Sequence, residues 1–192
     1  HIVGYYDFFA RESVNSFVRM QQHARAPGTR RRQQLILGPW DHGTIGRAIV
    51  GEVDFGPNAV MDRAAENLKW FDQYLKSGHD GGAEVETPVR YFSMGENVWH
   101  EAKAWPPQGV TPASFYLNSR GKANSTVGDG VLSQHAPESD GYDEFHADPA
   151  DPTPACPITD KRPLIAATWA PVDQRAIEAR QDVLVYTSPP LA

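Results

Sequence analysis

The nine residues Leu35 to Gly43, "LILGPWDHG", constrain this chain more than any other stretch. Three aliphatic residues run into Gly38-Pro39-Trp40, and the pair Asp41-His42 follows before Gly43. A short apolar run closed by a Gly-Pro turn reads as a buried strand that stops abruptly. It stops by delivering a histidine, whose two ring nitrogens must find partners wherever the ring is held. Imidazole at the tip of a buried strand points to chemistry rather than to packing.

The residues ahead of it supply a second strand end. Ile2 to Gly4 is apolar and runs into Tyr5-Tyr6-Asp7. Between the two strands, Val14, Phe17, Val18 and Gln21 fall at helical spacing within Glu12 to His23, and Pro27-Gly28 ends that helix. Residues 1 to 42 thus read strand, loop, helix, strand, loop. That is the βαβ pattern of parallel strands, whose carboxyl ends collect functional groups. Asp7 and His42 each fall just past a strand, 35 residues apart, with one crossover between them. Neighbouring parallel strands place such ends side by side.

An aspartate that accepts a hydrogen bond from one imidazole nitrogen fixes the ring's tautomer and stabilises the imidazolium formed on proton uptake. In α/β-hydrolases the triad runs nucleophile, acid, histidine, and here the acid precedes the histidine. The bland alternative is that Asp7 caps a turn and His42 is structural. Asp41 is a rival acid, but sequence neighbours rarely orient each other's rings, and Asp7 would then have no role. No Gly-x-Ser-x-Gly elbow occurs in the chain. Ser13 and Ser16 fall inside the expected helix, so the nucleophile is expected upstream of His1.

A second helix is expected where Met61, Ala64, Leu68, Phe71 and Leu75 form one apolar stripe, widened by Trp70 and Tyr74 and closed by Gly78. The stripe is expected to be core. From about Gly81 the texture changes. "GGAEVETP" is a turn-rich connector, and the runs beyond it are short and rich in β-branched and aromatic residues: Val89 to Phe92, Ser114 to Leu117, Leu164 to Trp169 and Val183 to Thr187. Turn residues separate them, as in an antiparallel sandwich or jelly roll. The expected domains are residues 1–82, α/β, and 83–192, all-β.

Several function classes drop out. A net charge of −6 gives no electrostatic case for nucleic acid, and the basic run Arg25 to Arg32 surrounds a Pro-Gly turn with no interleaved aromatics. The single Cys156 forms no intrachain disulfide and no multi-cysteine metal site. No apolar run is long enough to span a bilayer. The acidic stretch Pro137 to Pro154 lacks the ligand spacing of a calcium loop and reads as solvated turns. Of three tryptophans, Trp40 is expected near the site and Trp99 and Trp105 at the domain interface, rather than in a sugar platform. No cofactor and no metal are expected. The chain opens on His1 with no Met and closes on a strand and turn, so it reads as cut at both ends, and a missing leader carries no information on compartment.

With these residues in hand, the chain resembles the C-terminal portion of the cocaine esterase / X-prolyl dipeptidyl peptidase (CocE/NonD) family of hydrolases. "VGYYDFF" is similar to the family segment that bears the triad acid, which implies Asp7. "LILGPWDHG" is similar to its Gly-Pro-Trp-x-His segment, which implies His42 as the triad histidine. "DFGPNAVMDRAAENLKWFDQYLKSG", "VRYFSMGENVWHEAKAWPP" and "DQRAIEARQDVLVYTSPPL" extend the resemblance in the family's order. It implies the C-terminal part of an α/β-hydrolase domain, then an incomplete jelly-roll (galactose-binding-like) β-sandwich. It also implies a serine nucleophile, an acyl-enzyme and a small-molecule ester or peptide substrate. The family's oxyanion hole lies upstream, so Tyr5 and Tyr6 are not assigned to it. Related α-amino acid ester hydrolases hold a substrate ammonium with acids near the triad Asp. Here Phe8-Phe9-Ala10 follow Asp7, which leans towards a neutral substrate.

Two other readings stand beside this one. In the first, the β region is a non-catalytic binding module for a carbohydrate or protein partner. In the second, His42, Asp41 and Asp7 bind a metal, which would need a further spacing signal that the sequence lacks.

Overall fold

The computed structural model describes residues 1–76, 85–138, 141–154 and 170–190. The chain divides into two compact units, His1–Val110 with Arg162–Pro171, and Thr111–Lys161 with Val172–Ala192.

The first unit opens with β1 (Ile2–Gly4), α1 (Ala10–His23), α2 (Pro27–Arg31) and β2 (Leu35–Gly38). β1 and β2 are parallel, with Gly4 opposite Gly38, so the expected βαβ unit is present. The helix begins at Ala10 rather than at Glu12, because the Asp7 and Phe9 carbonyls already accept the Ala10 and Ser13 amides. It ends at His23, and Pro27 opens α2 in its first turn, where a missing N–H costs nothing. The apolar run of β2 is unbroken because the strand packs on both faces. Leu35 and Leu37 join Val3, Phe17 and Val89 in one core cluster. Ile36 turns the other way and joins Trp40, Val50, Phe55, Ala59 and Phe92. That is the period of two of a pleated strand.

Beyond β2 come the short hairpin β3 (Ile49–Val50) and β4 (Val53–Asp54), a 3-10 turn at Pro57–Ala59, α3 (Arg63–Leu75), β5 (Val89–Ser93) and β6 (Val98–Ala102). Asp62 caps α3 by accepting from the Ala65 amide at 3.0 Å. The expected core stripe on α3 is not buried. Leu68, Phe71 and Leu75 are 61%, 50% and 71% exposed, and no α3 residue is buried. Periodicity sets which face of a helix is apolar, and a partner has to be present to cover it. Gly78, the expected cap, lies outside the described residues.

β5 is placed differently from its expected role in a separate β domain. It pairs in parallel with β2, and β6 pairs antiparallel with β5, giving one sheet in the order β1-β2-β5-β6. Val89 and Phe92 are buried in the two clusters that flank β2. The first compact unit therefore runs to Val110, past the expected boundary at residues 82 and 83. Trp99 and Trp105, expected at a domain interface, pack inside this unit. Trp99 lies against Trp40 and Phe92, and Trp105 against Tyr91.

The second unit holds β7 (Tyr116–Asn118) antiparallel to β8 (Val131–Ser133), a parallel bridge from Val131 to Thr187, and the short α4 (Arg175–Glu178). The expected strand at Ser114 to Leu117 appears two residues later, and Val183 to Thr187 contributes the bridge. The expected strand at Leu164 to Trp169 lies outside the described residues. Carboxylates organise the loops. Asp143 accepts from the Ser119 hydroxyl at 2.5 Å, from the Ala123 amide at 3.0 Å and from the Tyr186 hydroxyl. Asp129 accepts from the amides of Arg120 and Lys122. Arg180 bridges Asp182 and Asp151.

Candidate active site

Backbone pairing continues past the ends of β1 and β2 and sets the site. The Tyr5 amide donates to the Gly38 carbonyl at 2.9 Å and the Tyr6 amide to the Trp40 carbonyl at 3.0 Å. The two loops therefore leave the sheet together. This close approach needs glycine on both strands. A Cβ on Gly4 would sit 1.8 Å from the Trp40 carbonyl oxygen, and one on Gly38 would sit 2.3 Å from the Trp40 ring. Trp40 is fully buried, and its indole N–H donates to the carbonyls of Arg47 at 3.1 Å and Ala59 at 3.0 Å. The Gly-Pro-Trp turn thus ends β2 by anchoring a large ring under the chain, two residues before His42.

Asp7 and His42 meet. His42 Nδ1 lies 3.1 Å from Asp7 Oδ2. The Asp7 side chain is 4% exposed and that of His42 is 49% exposed. The other oxygen, Asp7 Oδ1, accepts from the Phe9 amide at 2.9 Å, and the Asp7 amide donates to the Gly4 carbonyl. Both carboxylate oxygens are thus engaged, and the group is held from its own loop. An ionised carboxylate only accepts, so the tautomer that satisfies this contact is the one with its proton on Nδ1 and a lone pair on Nε2. Nε2 has no hydrogen-bond partner among the described residues. A fixed, half-exposed imidazole backed by a buried carboxylate can take a proton on one side while its charge is stabilised from the other.

Asp41 does not compete for the ring. It is buried, and its Oδ1 accepts from the Gly43 amide, the Thr44 amide and the Thr44 hydroxyl, each at 2.8 Å. Its role is within the loop that carries His42. The local signal is an aspartate followed two and three residues later by amides it can cap, with a threonine at the third position. The aromatic pair after Asp7 also acts on the histidine. The Phe8 and Phe9 rings lie 4.8 and 5.6 Å from the His42 ring, centroid to centroid. Glu12 is exposed on the first turn of α1. Tyr5 and Tyr6 pack into the two core clusters, and burial pushes the Tyr5 hydroxyl up to about 12, with Tyr91 adding to it. Ser13 and Ser16 lie along α1, as expected.

In the second unit, part of the acidic stretch lines an open groove of about 880 Å³, with Asp143, Glu144, Asp148 and Asp151 facing Arg180 and Asp182. No group of three or more His, Cys, Asp or Glu able to hold a metal ion occurs among the described residues.

The comparisons with known proteins agree on one kind of relative. Residues 81–192 match the family model of the X-Pro dipeptidyl-peptidase C-terminal non-catalytic domain. Asp7 and His42 lie ahead of that match. The chain is 33% identical over 191 residues to a cocaine esterase of Rhodococcus sp. (strain MB1 Bresler), covering 96% of this chain and 31% of that protein. It is 32% identical over 184 residues to a putative serine esterase of Mycobacterium bovis, covering 95% of this chain and 26% of that protein. Among solved structures, an aminopeptidase from a marine sediment Thaumarchaeota archaeon superposes with a TM-score of 0.58 at 27% identity, covering 83% of this chain and 25% of that one. An α-amino acid ester hydrolase superposes with a TM-score of 0.58 at 29% identity, covering 82% and 26%. The chain spans about a third of the length of the first relative and about a quarter of the others.

Proposed function

Because this chain belongs to the cocaine esterase / X-prolyl dipeptidyl peptidase (CocE/NonD) family of hydrolases, we propose that Asp7 and His42 are the acid and the base of a Ser-His-Asp triad. On this reading the nucleophilic serine belongs to sequence outside these 192 residues. The parallel strands β1, β2 and β5 of the first unit are the C-terminal part of an α/β-hydrolase sheet, and the jelly-roll domain lies within residues 83–192, after that sheet. The observation that carries the proposal is the 3.1 Å contact between His42 Nδ1 and Asp7 Oδ2, at the ends of adjacent parallel strands.

The chemistry follows from that contact. Nε2 takes the serine proton as the hydroxyl oxygen attacks the substrate carbonyl carbon, and Asp7 stabilises the imidazolium that results. The imidazolium then returns the proton to the departing alcohol or amine, leaving the acyl group on serine. Water, deprotonated by the same nitrogen, releases the acid. Phe8 and Phe9 give the ring an apolar flank, which favours a neutral ester or acyl substrate over one that presents an ammonium group.

The test is fluorophosphonate labelling of the full-length gene product. One labelled serine, with labelling lost in His42→Ala, supports the triad. Chelator-sensitive turnover without labelling would support a metal mechanism, and a folded protein with neither would support a non-catalytic binding module.

A further inference from the structure

We infer that Asp41 is a positioning residue for His42, acting by clamping the loop that presents the imidazole. The inference rests on the reading of His42 as general base. Because the His42 side chain is half exposed, the Phe8 and Phe9 rings flank only part of it, and Asp7 touches only one nitrogen. The ring can be held at a reactive angle only if the backbone at residue 42 is held. On the N-terminal side that is done by Trp40, whose indole is tied to Arg47 and Ala59 and whose carbonyl is tied to Tyr6. On the C-terminal side the work falls to Asp41.

The clamp is a closed ring of bonds. Asp41 Oδ1 accepts from the Gly43 amide, the Thr44 amide and the Thr44 hydroxyl, each at 2.8 Å. The Thr44 hydroxyl oxygen in turn accepts from the Asp41 amide at 3.2 Å, and the Thr44 amide also leans on the Asp41 carbonyl at 3.3 Å. His42 sits inside this ring, between its two anchored neighbours. The carboxylate of Asp41, a residue 3% exposed, satisfies two successive amides beside a conformationally permissive glycine and so fixes the local turn in one conformation. Loss of the clamp would let the imidazole swing by fractions of an ångström relative to Asp7 and the attacking hydroxyl. Misplacement on the scale of 1 Å costs up to about 10²-fold in rate.

Position, not charge, is the claim, and substitutions separate the two. Asparagine keeps an oxygen that can accept both amides, whereas alanine keeps nothing. In the full-length enzyme, Asp41→Ala should lower kcat about 30-fold with KM within about twofold, per mole of folded protein counted from its denaturation baseline. Asp41→Asn should retain at least about a third of wild-type kcat. Thr44→Val should lose about fivefold and Thr44→Ser should restore it. The double substitution Asp41→Ala with Thr44→Val should be no worse than Asp41→Ala alone, because both break one ring of bonds. Wild-type kcat in Asp41→Ala, or equal losses in Asp41→Ala and Asp41→Asn, would overturn the inference. So would a loss that disappears on correction for folded protein. His42→Ala is assayed alongside. If it stays active, the reading of His42 has failed; if it is dead while Asp41→Ala is not, only the positioning role has.

Discussion

In the first unit the interior is apolar and central, with Val3, Phe17, Leu35, Trp40, Val50, Val89 and Phe92 all essentially without solvent contact. In the second unit, among the described residues, Ala123 is the one member of the buried apolar core. What orders it instead is carboxylates that collect several donors each. Burial works against ionisation of Asp143, but hydrogen bonds from Ser119, Tyr186 and the Ala123 amide together hold its pKa below the ordinary carboxylate range. The hydrogen bond to Asp143, joined by burial, pushes Tyr186 up to about 12. Asp182 is held far below that range, first by Arg180 and then by Thr153. A dry core resists the motion of whatever is fixed to it, because close-packed side chains yield in steps rather than smoothly. Networks of surface carboxylates hold loops more softly and depend on pH. The candidate site is built on the first kind of support.

The largest expected effect concerns that assignment. In the full-length enzyme, His42→Ala should lower kcat by at least about 10³-fold, and Asp7→Asn should lower it by a large factor with folding retained. Near-normal activity in Asp7→Asn would move the acid elsewhere. Asp143→Ala should leave kcat within about twofold, because the Asp143 network supports loops of the second unit and touches neither Asp7 nor His42.

Stability should divide the units next. Phe17→Ala empties a site under α1 and should cost about 3–5 kcal/mol, read from the shift in urea midpoint. In the same 192-residue polypeptide Leu68→Ala should change stability by less than about 0.5 kcal/mol, because that face of α3 is exposed. A cost for Leu68→Ala as large as that for Phe17→Ala would mean the face is covered in solution. Asp143→Ala falls between them at about 1–2 kcal/mol, from three lost hydrogen bonds partly replaced by water.

The smallest effect is on pH. A carboxylate whose pKa is lower in the folded state than in the unfolded one binds fewer protons when folded. It therefore contributes stability above its unfolded value, near about 4. That contribution fades as pH falls below this value towards the folded one. Acidification should thus loosen the surroundings of Tyr186 before those of Trp40, followed by tyrosine ring signals and tryptophan fluorescence. Simultaneous loss of both would remove the distinction between the units.

Much of the site was legible from residues 1 to 42. Apolar runs with period two and a helix with spacing of three and four specify β1, α1 and β2, and a single crossover leaves the strand ends adjacent. Asp7 and His42 follow from that topology. Other features did not follow, and each has a physical reason. The stripe on α3 predicts an apolar face, but burial needs a partner surface, which periodicity does not encode. Val89 to Phe92 suits either sheet by composition, and only backbone pairing with β2 assigns it to the first unit. Asp41 was legible as a rival acid because residue type alone cannot tell a ring partner from a loop clamp.

By itself, then, the order of residues determined that two parallel strands end in an acid and an imidazole, since local periodicity and turn chemistry act over a few residues at a time. Only the tertiary structure decided which carboxylate meets the ring and which holds its loop. That choice depends on where the Trp40 anchor and the close approach of Gly4 to Trp40 bring the two loops together, and the Gly4–Trp40 and Asp7–His42 contacts each join residues more than thirty positions apart.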